Sequence, residues 1–283
     1  MYPTLNAVTA GGGLGLSEYV ALAARHGFRG ADFSMEAAQA LGAGEANELF
    51  AAHGVRPGGW GLSVEWRRDQ DAFESGLAKL PALAETAMQL GASRCITWVP
   101  PQGGEPAADY QARVLPRLVQ VSKVLGDHGV QFGLEFLGPK MFRQQPEQVW
   151  FYDIPGALDV TAKMREQGAS NAGLLIDCWH WYTSGGSIMD LASVPIEQIV
   201  HVHINDAPRR PVEEQIDSVR LLPGQSGVID IRGFLRTLSA LGYEGPVAVE
   251  TFSDELKGLS PDESAARASA AMRKVWADAE LEF

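Results

Sequence analysis

The sequence predicts an α/β protein folded as a single (β/α)8 TIM barrel over residues 1–283. Eight short apolar runs are each followed by a longer helix-like segment. Glycines close several of those segments just before the next run begins. The length of 283 residues is close to the roughly 250 that one such barrel needs.

The strand candidates, in order, are LNAVT from Leu5, GADFSM from Gly30, PGGWGLSV from Pro57 and SRCITWVP from Ser93. VQFGLEFL from Val130, NAGLLIDCW from Asn171, IVHVHIN from Ile199 and GPVAVETF from Gly245 complete the set. Several are apolar at consecutive positions, as strands buried on both faces require. Between them, helices are expected from Ser17 to His26-Gly27, up to His53-Gly54, and from about Phe73 to Leu90-Gly91. Further ones should run from about Tyr110 to His128-Gly129 and from about Ile231 to Leu241-Gly242. A glycine just past a helix suits a left-handed cap. No composition break or linker marks a domain boundary. Gly11-Gly12-Gly13 with Gly15 is glycine-rich and follows the first strand, but it lacks the full dinucleotide-binding spacing. It is read as a loop at the barrel mouth.

With 23 Lys and Arg against 35 Asp and Glu, the formal net charge is −12. That balance disfavours nucleic acid and anionic membrane surfaces as partners. No apolar stretch approaches the roughly 20 residues of a membrane span. The N-terminus lacks the basic head and apolar core of a secretion signal. Cys95 and Cys178 both lie in apolar runs and are expected to be buried thiols. These features together predict a soluble, cytoplasmic protein.

The chemistry is carried by the last four strands. Glu135, Asp177, His203 and Glu250 each sit at the carboxyl end of an otherwise apolar strand. In a barrel those ends converge on one face. One acid there is commonly a helix cap or an arginine partner, but three carboxylates and an imidazole in one pocket call for a cation. The set suits one divalent ion: Mn2+ first, with Mg2+ or Co2+ as alternatives. His203 is chosen as the ligand, and His201 is expected to pack outside the barrel interior.

The motifs GLEF (Glu135), DCWH (Asp177 and His180), HVHIND (His203) and VAVETF (Glu250), with LPGQSGVID from Leu222, resemble the xylose-isomerase-like sugar isomerase/epimerase family over nearly the whole chain. The resemblance implies that Glu135, Asp177, His203 and Glu250 bind the metal and that Glu135 and Glu250 also act as acid and base. His180 and Arg209, with Arg210 as a neighbouring competitor, would bind substrate oxygens. The epimerases carry a second glutamate six residues after the strand-five ligand, where this chain has Met141 beside Lys140. Lys140 and Arg143 are candidate contacts to substrate oxygens. The long segment from Asp206 to Asp230 reads as a substrate-binding lid, with Asp217 and Arg220 as an ion pair within it. Trp98 and Trp179 are expected near a sugar, whose C–H faces pack on rings, and Glu65 is a further candidate polar contact.

The expected function is a metal-dependent isomerase or epimerase of a ketose, keto-inositol or related keto-sugar, working by α-proton abstraction and a metal-stabilised enediolate. The alternative is a lyase that performs β-elimination on 3-keto-glycosides or dehydrates keto-inositols, because it shares the first step. A DNA-repair endonuclease would need more histidines than the six present. A non-catalytic sugar-binding protein would be expected to have lost one of the two glutamates. Association into a homo-oligomer is left open by the sequence.

Overall fold

The computed structural model describes residues 1–283, with Asp254 described by its backbone alone. The chain alternates strand and helix from its first residues. The first half contains β1 (Tyr2–Leu5), α1 (Leu16–Arg25), β2 (Gly30–Phe33), α2 (Met35–Leu41), α3 (Ala43–His53), β3 (Arg56–Gly61), α4 (Gln70–Leu90), β4 (Arg94–Val99) and α5 (Ala107–Gly126). The second half begins with β5 (Gln131–Phe136), α6 (Ile154–Glu166), β6 (Ala172–Asp177), α7 (Cys178–Thr183) and α8 (Ile188–Ala192). It ends with β7 (Ile199–Ile204), α9 (Ile231–Ala240), β8 (Pro246–Val249), α10 (Asp254–Lys257) and α11 (Pro261–Asp278).

The eight strands form a closed parallel barrel in sequence order, with β8 pairing back onto β1. Strands β5, β6 and β7 are buried at nearly every position, because the helices cover them outside and side chains fill them inside. Helices α3 and α4 end on Gly54 and Gly91 at φ 63° and 66°, as their left-handed caps require. Helix α11 opens on a capping box between Ser260 and Glu263, with Pro261 at its first position.

The first strand departs from expectation. It ends at Leu5 instead of starting there. The side chain of Asn6 accepts the Val8 N–H at 2.9 Å, and its carbonyl accepts the Thr9 N–H at 3.1 Å. That Asx-type turn draws AVT out of the sheet. The second departure concerns His201. Residues two apart on a strand share a face, so His201 and His203 both point into the barrel. Their ring centroids are 5.0 Å apart. Cys95 and Cys178 are buried and unpaired. Among the described residues, no helix is long and apolar enough to cross a membrane.

Candidate metal centre

Register brings the charged residues together. Asp177 pairs with His203 across β6 and β7, and Glu135 lies beside Leu175, whose own neighbour on β7 is His201. Glu250 follows directly on β8 and is held there by its N–H, which donates to the Ile204 carbonyl at 3.2 Å. One ligand-type atom from each of Glu135, Asp177, His203 and Glu250 lies within 4.8 Å of all the others.

Each side chain is aimed from outside the cluster. Asp177 doubles as the N-cap of α7: its Oδ1 accepts the Trp179 N–H at 2.8 Å and the Asn205 amide at 3.0 Å. His203 Nδ1 lies 3.5 Å from Glu250 Oε2 and 3.9 Å from Glu135 Oε1. Arg220 enters from the long connection after β7. Its Nη1 donates to Asp177 Oδ2 at 2.7 Å and Glu250 Oε2 at 3.0 Å, and its Nη2 to Asp217 Oδ1 at 2.8 Å. The guanidinium lies over the Trp179 and Phe252 rings and is 2 % exposed.

The crowding of charge separates the protonation behaviour of the two glutamates. Burial, then the neighbouring Glu250 carboxylate, pushes Glu135 well above the usual carboxylate range. Glu250 is partly buried, but His203 and Arg220 outweigh that and hold it below its ordinary value. Asp177 is raised by burial, against the pull of Arg220. Burial opposes a charge on His203, yet Glu250 and Asp32 raise it well above the usual histidine range. Burial and the Arg220 charge keep His180 well below that range.

The residues fit a divalent cation. Glu135 Oε1 and both ring nitrogens of His203 are buried without a hydrogen-bond partner, which a native interior rarely tolerates without a missing partner. Three oxygen donors and one nitrogen in this small space match the preferences of a borderline-hard ion.

Two lobes of the mouth meet at Glu135, Glu250 and Trp98. One, of about 250 Å³, is bounded by Asn6, Asp32, Phe33, Thr97 and His203. The other, of about 430 Å³, is bounded by His180, Asp217, Arg220, Phe142 and Phe252. Trp98 is 48 % exposed and lies against Arg67, whose guanidinium is 3.7 Å from the ring centroid. His180 lies 3.8 Å from Glu135.

Four of the other expected contacts lie elsewhere. Trp179 is fully buried behind Arg220. Lys140 is exposed. Arg209 is exposed and donates to the Ser226 carbonyl at 2.6 Å. Glu65 is exposed and lines a separate surface depression. Arg220 takes the guanidinium position for which Arg209 was the candidate: the connection turns back on itself through the Asp206–Leu221 bridge, so residues distant from β7 in sequence return to the mouth. Asp32 escaped the sequence reading, although an aspartate inside the apolar run GADF was a visible signal.

A family model described as the xylose isomerase-like TIM barrel matches residues 20–275. The chain belongs to that family. An inosose isomerase of Halalkalibacterium halodurans is 28 % identical over 224 residues, 78 % of this chain and 75 % of that one. A 3-dehydroshikimate dehydratase of Pseudomonas aeruginosa is 31 % identical over 153 residues, 53 % of this chain and 22 % of that one. The structure of a xylose isomerase domain protein from Alicyclobacillus acidocaldarius superposes with a TM-score of 0.88 at 30 % identity, covering 99 % of both chains. An IOLI protein with a bound zinc atom superposes with a TM-score of 0.80 at 22 % identity, covering 97 % of this chain and 98 % of that one.

Proposed function

We propose that this family member is a divalent-metal-dependent isomerase or epimerase of a keto-inositol or related keto-sugar. The observation that carries the reading is the pair Glu135 and Glu250. Both border both lobes of one mouth and each offers an oxygen to the same cluster, so both carboxylates reach whatever is bound there. Two carboxylates facing one bound substrate can take a proton and return one. The similarity to inosose isomerases supports a cyclic keto-polyol as the substrate class.

When bound, the ion would polarise a substrate carbonyl and acidify the neighbouring C–H. Glu135, Asp177, His203 and Glu250 would hold it. Glu250, the more acidic of the two glutamates, is suited to take the α-proton. Glu135, once reprotonated from solvent, is suited to deliver one. His180, kept neutral beside Arg220, can hydrogen-bond a substrate oxygen. Arg220 keeps its charge at any working pH and can bind the oxygen that gains charge as the proton leaves. Trp98 offers a ring face to the substrate C–H groups. Mn2+ is our proposal for the working ion, with Mg2+, Co2+ and Zn2+ the ions to compare; metal analysis of the purified protein decides.

A second reading is carried by the dehydratase similarity: the same first step, followed by loss of a β-oxygen, makes the protein a lyase. Incubation of the metal-loaded protein with keto-inositols in D2O separates the two. Carbon-bound deuterium in a recovered keto-isomer supports the isomerase, and an enone product supports the lyase. Absence of solvent exchange with every keto-polyol tried would overturn both.

A further inference from the structure

On the far side of His203 from the glutamates, the barrel interior holds a second polar group that the proposed chemistry leaves unused. Asp32, on β2, is 6 % exposed. Its Oδ1 accepts the Gly59 N–H at 2.7 Å, and its Oδ2 faces the Asn6 amide at 3.2 Å and His201 Nε2 at 3.1 Å. Strand β3 makes space for this arrangement. A Cβ on Gly58 would collide with Asp32 Oδ1, and one on Gly59 would come within 3.2 Å of His201.

His203 lies between this group and the metal cluster. Its Nδ1 edge faces Glu250 and Glu135, and its Nε2 lies 3.7 Å from Asp32 Oδ2. That separation is too long for a hydrogen bond, and Nε2 is buried with no partner. Asp32, His201 and His203 would also sit close enough for an ion of their own, but Asp32 is already committed to three N–H donors. An imidazole that gives one nitrogen to a cation carries its proton on the other, and that N–H needs a buried acceptor. Asp32 Oδ2 is the carboxylate oxygen within reach, and a movement of less than about 1 Å would bring it to charge-assisted hydrogen-bond distance.

We propose that Asp32 is a positioning residue that accepts the Nε2 proton of His203 and so fixes that ring as an Nδ1 donor to the metal. This rests on the metal reading given above. The bond from His201 and the Gly58-Gly59 stretch hold Asp32 ready for that role, and its charge makes the ligand nitrogen more basic.

Zinc, as a diamagnetic probe, tests the proposal in the full chain. Histidine 15N NMR of the zinc-loaded wild type should show His203 protonated at Nε2 and metal-shifted at Nδ1. Asp32→Asn should weaken zinc binding by about 10- to 100-fold in a chelator competition on the folded variant. A zinc-loaded wild type protonated at Nδ1 and ligated through Nε2 overturns the proposal, and so does a folded Asp32→Asn that binds zinc as tightly as wild type. If Asp32→Asn does not fold, the wild-type tautomer alone decides. Failure of the wild type to bind any divalent ion removes the metal reading and this inference together.

Discussion

Glu250 accepts from Arg220 at 3.0 Å and faces His203 at 3.5 Å, so at the scale of single residues its carboxylate answers to two cationic partners. Replacing it with Gln keeps the shape and removes the base. Turnover should fall by about 10²- to 10⁴-fold, measured as solvent-deuterium exchange into substrate, while circular dichroism stays as in wild type. Wild-type exchange by the variant would remove Glu250 from the mechanism. In the ion-free site Glu135 is raised by burial and Glu250, and His203 by Glu250 and Asp32, so both keep their protons to higher pH than usual. Both must lose them to become ligands, so binding should release protons and affinity should climb as pH rises through their titrations. Calorimetry in buffers of different ionisation enthalpy reads the proton count directly; proton uptake, or affinity independent of pH, would contradict the assignment of ligands.

At the scale of elements, the connection between β7 and α9 depends on one carboxylate. Asp206 Oδ1 accepts the Ala207 and Ile229 N–H groups at 2.8 and 3.1 Å, and Oδ2 accepts those of Ser226 and Gly227 at 2.8 Å each. Both ends of the segment bearing Asp217 and Arg220 are thereby tied to the barrel rim. Asp206→Ala would leave four backbone donors without their acceptor. It should make residues 207–228 the first site of limited proteolysis and weaken substrate binding through Arg220, with the barrel still folded. An unchanged cleavage pattern would mean that the Asp206–Leu221 bridge suffices. This bracket shows what the sequence could and could not disclose. Length alone marked the segment as a lid, because irregular stretches of that size are rare without function. The guanidinium it delivers to the mouth depended on a fold-back set by Asp206, which no local pattern announces.

At the scale of the whole molecule, eight strands and the four clustered strand-end residues were legible because each follows from a short-range rule: apolar runs, glycine caps, and charge where a barrel should be greasy. The direction of His201 follows from the same two-residue alternation once the rule is applied with the right sign. Asp32 stood out as an acid in an apolar run, but its surroundings were hidden, since its partners Asn6, Gly59 and His201 come from three other parts of the chain. A molecule whose four proposed ligands come from four strands should be tightened by the ion. At a hundredfold excess over the dissociation constant the gain is about 2.7 kcal/mol, read as a rise in melting temperature that a chelator reverses. No shift with Mn2+, Mg2+, Co2+ or Zn2+ would count against the site.

The seam between β8 and β1 adds a consequence in time. Tyr2 to Leu5 pair with Pro246 to Val249, and Glu250 stands one residue beyond that seam. A ribosome therefore exposes β1 long before the strand that zips onto it. Until β8 docks, Glu135, Asp177 and His203 lack their fourth companion, however well β5 to β7 have already paired. Capture of the proposed ion would thus wait for the last strand of the barrel, and a chain arrested before Glu250 emerges should hold metal more weakly than the closed barrel.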